Sequence, residues 1–396
     1  MLLADRARTA RLVRQGLLAS LTLASASLLP AQSVPARAIT PPTAAPQSLP
    51  AQLSDADFWR MVTEFSEPGG YFRSDNLVGN ELTLQEVIPD LTRATSPHGV
   101  YLGVGPDQNF TYIVALLPKI AFIVDIRRQN MLQHLLYKAI IEQAKDRADF
   151  LSRLFSRTRP AGLDSASSAE ALFRAFRTAT PDTALFRRNL AGIKAHLVEQ
   201  KKFTLSADDL AAIEFVLGAF YDAGPELTYN YPRMTGSNSF GRRMPTYEDL
   251  MLATDSAGLN HGYLGSEANF RILASVQKKN LLVPVVGDFG GPTALRAVGK
   301  YLTANRATVT AFYLSNVEQY LFQGDAWRAF FENVSTLPVD SSSTFVRAVF
   351  NMGGMRTTPG PPGARSITLR ASIAESVKAF TEGRIGTYYD VVLMSK

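Results

Sequence analysis

The sequence GVYLGVGPDQNFTYIVALLPKIAFIVDIR (residues 99–127) decides the fold of this chain. An apolar run ends in glycines, a helical segment follows, and a second apolar run ends in an acid. Glycines at a strand end let the backbone turn sharply and approach a ligand with no Cβ in the way. Asp125 follows Gly105 by 20 residues, the spacing at which an acid reaches ribose hydroxyls in nucleotide-binding α/β folds.

Working outward, residues 99–104, 120–126, 281–287, 308–314 and 344–350 read as buried strands, with weaker candidates at 366–370 and 387–394. Most are nearly continuous apolar runs, which suits parallel strands covered on both faces. A helical pattern at 292–302 follows one of them at once. The expectation is an α/β fold with a doubly wound, mostly parallel sheet of about seven strands. Residues 129–223 carry helical patterns at 130–155, 166–177, 182–199 and 207–221 and read as a helical insertion after the second strand. Residues 224–246 form a loop rich in glycine and aromatic residues, with Tyr229, Tyr231, Arg242 and Arg243 as candidates for stacking and anion contacts.

The ends of the predicted strands carry the polar residues. They are Asp107 and Asn109 after the first, Asp125, Arg127 and Arg128 after the second, Asp288 after the third, and Ser315, Asn316 and Glu318 after the fourth. In a doubly wound sheet these ends face one crevice, where ligands bind. Gly103, Gly105, Asp107, Asn109, Asp125 and Arg127 are the candidates for holding a cofactor, and Asp288 and Asn316 for orienting a second substrate. The competing reading is that such residues cap helices: Asp107 could cap the helix after the first strand, and Ser315-x-x-Glu318 has the form of a capping box. The polar segment ahead of the first strand offers Tyr71, Arg73, Asp75, Asn76 and Glu81 as a lid over the crevice, or as an ordinary loop held by side-chain-to-backbone bonds.

At these residues the chain resembles the class I S-adenosylmethionine-dependent methyltransferase superfamily. Gly103 and Gly105 match the first two glycines of its loop and Asp125 its second-strand acid; Tyr101 replaces the first acid and Asp107 the third glycine. The dinucleotide pattern would need glycine where Gln108 stands. More narrowly, SDNLVGNE (74–81), YLGVGPDQNFTYI (101–113), FIVDIRRQN (122–130), VPVVGDFGGP (283–292) and SNVEQYLF (315–322) look like an exported bacterial family of uncharacterised function with a methyltransferase-like fold. That resemblance covers residues from about 55 to 350 and implies a Rossmann-like fold with a site for S-adenosylmethionine. It assigns no catalytic residue.

The 396 residues include no cysteine, which excludes disulfides, thiolate metal sites and cysteine nucleophiles. The four histidines, His98, His134, His196 and His261, stand far apart, and no metal is expected. His134 and His196, on predicted helices, read as packing or surface residues. Residues 1–33 read as a signal peptide for the general secretory route. Arg6, Arg8, Arg11 and Arg14 precede an uncharged apolar run at 16–29, and Ala31-Gln32-Ser33 ends it. The alternative is an uncleaved, anchoring segment; the run is shorter than the ~20 residues of a permanent span. Cleavage would lower the net charge from +6 to +3, so the basic excess gives no argument for nucleic-acid binding. Residues 34–53, rich in proline and alanine, read as a disordered linker, and 54–396 as the folded domain opened by Ser54-x-x-Asp57.

Two functions are compatible with this pattern. One is an exported protein, periplasmic or extracellular, that binds a small-molecule or nucleotide-like ligand at the carboxyl edge of the sheet. The other is an active S-adenosylmethionine-dependent methyltransferase, or a transferase using another donor.

Overall fold

A computed structural model of the protein describes residues 48–95, 98–229, 231, 244–350 and 365–396. Residues 1–47, which hold the stretch read as a signal peptide and most of that read as a linker, lie outside the described residues, as do Arg242 and Arg243. The elements in chain order begin with α1 (Asp55–Glu64), α2 (Ile88–Ala94), β1 (Val100–Gly103), α3 (Gln108–Leu116) and β2 (Ile120–Asp125). A helical stretch follows with α4 (Arg128–Gln143), α5 (Arg147–Phe155), α6 (Ala169–Thr178), α7 (Thr183–Ala195), α8 (Ala207–Ala223), α9 (Tyr247–Leu252) and α10 (Glu267–Lys278). The chain then runs through β3 (Leu282–Val286), α11 (Ala294–Ala304), β4 (Val309–Ser315), α12 (Val317–Leu321), α13 (Ala326–Val334), β5 (Thr344–Phe350), β6 (Ser366–Ser372), α14 (Ile373–Thr381) and α15 (Tyr388–Leu393).

The six strands form one sheet in the order β3-β2-β1-β4-β5-β6. All pairs are parallel except β5 with β6, which is antiparallel. Every residue of β1, β2 and β3 is buried, which requires cover on both faces and explains their unbroken apolar sequences. The sixth weak candidate strand is real as β6. The seventh is not: residues 387–394 hold α15, because Thr387 and Asp390 form a reciprocal capping box and only Tyr388 and Val391, three apart, are buried. The sheet thus has six strands among the described residues rather than about seven.

Between β2 and β3 the described chain forms helices joined by loops, with no strand apart from two isolated bridges. α4 packs on both β2 and β3 and so serves as the crossover helix, while α5, α7 and α8 pack on α4. The single helix expected at 130–155 breaks at Ala144, and Asp146 caps the new start by accepting from the Asp149 amide. An aromatic layer fills the space between: Tyr137 meets Phe110, Phe150 and Phe220, and Tyr247 meets Phe155 and Phe220.

β3 is one of the sheet's two edge strands. The amide of Gly287 donates to Asp125 and the amide of Ala121 to the Leu281 carbonyl, so odd-numbered residues of this stretch face β2. Pro284 therefore sits at an outward position, where its missing N–H costs the sheet nothing. The outward groups of Val286 are covered by the chain after α1: its amide donates to Ser66 Oγ and its carbonyl accepts from the Glu67 amide.

Candidate functional site at the carboxyl edge of the sheet

Chain order reverses at β1, whose neighbours are β2 on one side and β4 on the other. Helices leaving those strands diverge there, and a crevice opens beyond the strand ends. A cavity of about 940 Å³ occupies that place. Val104, Gly105 and Gln108 line it from the end of β1, Asp125 and Arg127 from β2, Asp288 from β3, and Ser315 and Asn316 from β4. Its outer wall is made by Tyr71, Phe72, Arg73, Asp75 and Asn76 from the segment ahead of α2, with Tyr229, Tyr231 and Tyr320.

Ten of the thirteen residues singled out from the sequence line this space: Gly105, Asp125, Arg127, Asp288, Asn316, Tyr71, Arg73, Asp75, Asn76 and Glu81. The other three, Gly103, Asp107 and Asn109, do not line it. Asn109 is wholly buried and turns back under the loop. Its Nδ2 donates to the carbonyls of Val104, Gly105 and Pro106, and its Oδ1 accepts from the Tyr101 hydroxyl at 2.8 Å. Gly103 is glycine for the same reason, since a Cβ there would lie 1.9 Å from Asn109 Oδ1 and 2.9 Å from the Tyr101 ring. The glycine makes room for the protein's own side chains. Asp107 stands at the N-cap position of α3 without capping it; its carboxylate accepts from Tyr263 Oη at 2.9 Å in the helical layer. Burial raises its pKa to about 6.

The loop is also braced from α4. His134, expected to be a packing residue, is buried, and its Nε2 lies 2.9 Å from the Gly105 carbonyl oxygen. Burial lowers its pKa to about 4, so at neutral pH it is uncharged and donates that bond.

Asp125 does not present a free carboxylate. Its Oδ1 accepts from the Arg127 amide at 2.9 Å and Nε at 3.0 Å, and its Oδ2 accepts from Arg127 Nη2 at 2.8 Å. Both side chains are nearly buried, and Arg127 Nη1 donates onward to the Asp75 carbonyl. The acid that would hold a ribose is neutralised by its own guanidinium, and that guanidinium ties the Asp75 segment to β2. Asp288 accepts from the Gly290 amide through Oδ1. Asn316 precedes α12 without a side-chain cap bond. The expected Ser315–Glu318 capping box does not form, because Glu318 makes a buried bidentate pair with Arg347 and Ser315 Oγ bonds to Glu81.

Glu81 is a wall of the cavity rather than part of a lid. It is 2% exposed, accepts from Tyr313 Oη at 2.8 Å and from Ser315 Oγ, and burial raises its pKa to about 7. Ser315 reaches it through a left-handed backbone (φ 49°) where the β4–β5 register shifts. Gln108 Nε2 lies 3.3 Å from Tyr313 Oη, while its buried Oε1 has no partner. The sequence hid this cluster because its members lie 27 and 205 residues apart; the apolar run around Glu81 (Leu77, Val78, Leu82, Leu84) is the one local hint of burial. Residues 71–76 line the cavity and are tied down beside it: the Gly70 amide donates to Ile126, Phe72 meets Tyr320 edge-on, and Arg73 donates to Tyr320 Oη at 3.2 Å.

The fold and this edge cavity define an α/β protein with a crevice at the reversal point of a mostly parallel sheet. The chain belongs to a family defined by a domain of unknown function (DUF7790), which matches residues 77–368. The match takes in Glu81, Gln108, Asp125, Asp288 and Asn316 and begins just after the 71–76 segment. No match is found among the curated proteins. Among the described residues no helix is long and apolar enough to cross a membrane, and no three His, Asp or Glu side chains are placed to hold a metal ion.

Proposed function

We propose that this is an exported protein with a methyltransferase-like sheet that binds a small molecule, rich in hydrogen-bond donors and without phosphate, in the edge cavity. The observation that carries the reading is the cavity's position and chemistry. It lies at the sheet's reversal point, where doubly wound folds bind ligands. It holds four carboxyl groups, Asp75, Glu81, Asp125 and Asp288, against two guanidiniums, Arg73 and Arg127. Arg127 is spent on Asp125, and Arg73 lies over the Tyr320 ring. Among the described residues the lining carries more carboxyl groups than guanidiniums, which disfavours a phosphate, and Asp288 can accept from hydroxyl or amino groups through its other oxygen. The strand order with an antiparallel last strand supports the methyltransferase-like reading, and the signal-like residues 1–33 support export.

The test is a thermal-shift screen of residues 34–396 with S-adenosylmethionine, S-adenosylhomocysteine, adenosine, polyols and amines, set against ATP and sugar phosphates. Stabilisation by at least one unphosphorylated probe and by none of the phosphates is expected. Stabilisation by phosphates alone, or by nothing at millimolar concentration, would sink the reading. Micromolar affinity for S-adenosylmethionine would favour the active methyltransferase instead, despite the pairing of Asp125.

A further inference from the structure

We propose that Glu81 is the proton-exchanging residue of the cavity, taking a proton from a hydroxyl or amino group of the bound molecule and returning it. The proposal rests on the binding reading above and adds to it the group that does chemistry. Glu81 lines the cavity with its carboxyl almost wholly removed from water, and both oxygens accept from neutral hydroxyls, Tyr313 Oη and Ser315 Oγ. Two donors fix the carboxyl's orientation while leaving it further lone pairs. Among the described residues no lysine, arginine or histidine bonds to it. The groups that face it are Tyr101 on β1, Tyr112 and Gln108 on α3, Tyr313 and Ser315 on β4, and Tyr388 on α15, none of them a cation.

A carboxylate paired with a cation is a poor base; a desolvated carboxylate held only by hydroxyls gains from accepting a proton. Burial places its pKa at about 7, so both forms are populated at neutral pH. In the step, the ligand's O–H or N–H bond breaks, its electron pair stays on oxygen or nitrogen, and the proton becomes the carboxyl hydrogen of Glu81. Reversal, or exchange with water once the cavity empties, restores the carboxylate.

Two ligand-free measurements test this on residues 34–396. In protein carrying ¹³C at the glutamate δ-carbon, one carboxyl resonance should titrate between about pH 6 and 8 and vanish in Glu81→Gln. Dicyclohexylcarbodiimide, which adds to protonated carboxyls, should modify the Glu81 peptide at pH 6 and do so at least tenfold less at pH 9, as read by peptide mass. A midpoint below pH 5, or no modification at pH 6, overturns the proposal even if the thermal-shift screen finds a ligand. Titration and modification as expected with no stabilising probe count for Glu81 and against the binding reading, so the two fail separately.

Discussion

Gly103 stands at the end of β1 with the protein's own side chains packed against it. Its position after β1 suggested close approach of a ligand, yet the space beside it is taken by Asn109 and Tyr101. Asn109 in turn carries three bonds to the carbonyls of residues 104–106. The two readings predict different phenotypes. Gly103→Ala should lower unfolding free energy by about 1–3 kcal/mol, the range for overpacking in a closed interior, as measured by urea denaturation. A Gly103→Ala variant with wild-type stability but impaired ligand binding would restore the original reading. Chain position told which residues stand at strand ends; it could not tell which way their side chains turn. Asp107 and Asn109 turn into the protein, and Glu81 belongs to the wall, because tertiary burial decides those directions.

At the scale of elements, the C-terminal helix is where the strand count failed. Two adjacent valines, Val391 and Val392, gave the stretch a strand-like look, but the Thr387–Asp390 box starts a helix. Its place is fixed by Arg347 of β5, which donates to Glu318 through Nε at 2.7 Å and Nη2 at 3.1 Å and reaches the Val391 carbonyl and Ser395 Oγ through Nη1. Both side chains of the pair are essentially inaccessible. Arg347→Met alone leaves Glu318 charged and buried and should cost about 3–5 kcal/mol. Arg347→Met with Glu318→Gln should recover much of that loss in the same denaturation assay. If the double variant is no more stable than the single, the loss does not come from leaving Glu318 charged and buried. The parallel strands were legible because strands buried on both faces leave an unbroken apolar trace in sequence. The break between α4 and α5 was not, since amphipathic pattern continues across it and the cap at Asp146 is visible only in three dimensions.

Across the whole molecule, buried titratable groups pull pH dependence in opposite directions. Burial raises Asp107 to about 6, so the folded state holds a proton that the unfolded chain has lost, and that stabilisation disappears as pH climbs from about 4 to about 6. Glu81, raised to about 7, acts in the same sense over a window reaching about 7. His134, lowered to about 4, acts in the opposite sense: its contribution is lost as pH falls from about 6.5 to about 4. The net curve is therefore less informative than differences. Asp107→Asn should gain stability relative to wild type between pH 4 and pH 8, by at most about 3 kcal/mol, in urea melts at the two pH values. A constant difference would show that Asp107 ionises as freely in the folded protein as in the unfolded chain. The gathering of strand-end residues at one cavity was legible in the sequence because topology alone enforces it. The cluster of Glu81, Gln108, Tyr313 and Ser315 depends on pairing between distant segments, and no local pattern announces it.

The chain between α1 and the cavity mouth performs two tasks at once. Ser66 and Glu67 occupy the outward groups of Val286, and Gly70 bonds to Ile126, directly before the aromatic and polar residues that border the cavity. An open strand edge invites pairing with another chain, and here Pro284 and this segment together blunt it. Any movement that admits a ligand must then begin beyond Gly70. A wider opening would strip the edge of β3 and trade access to the cavity for a surface prone to self-association.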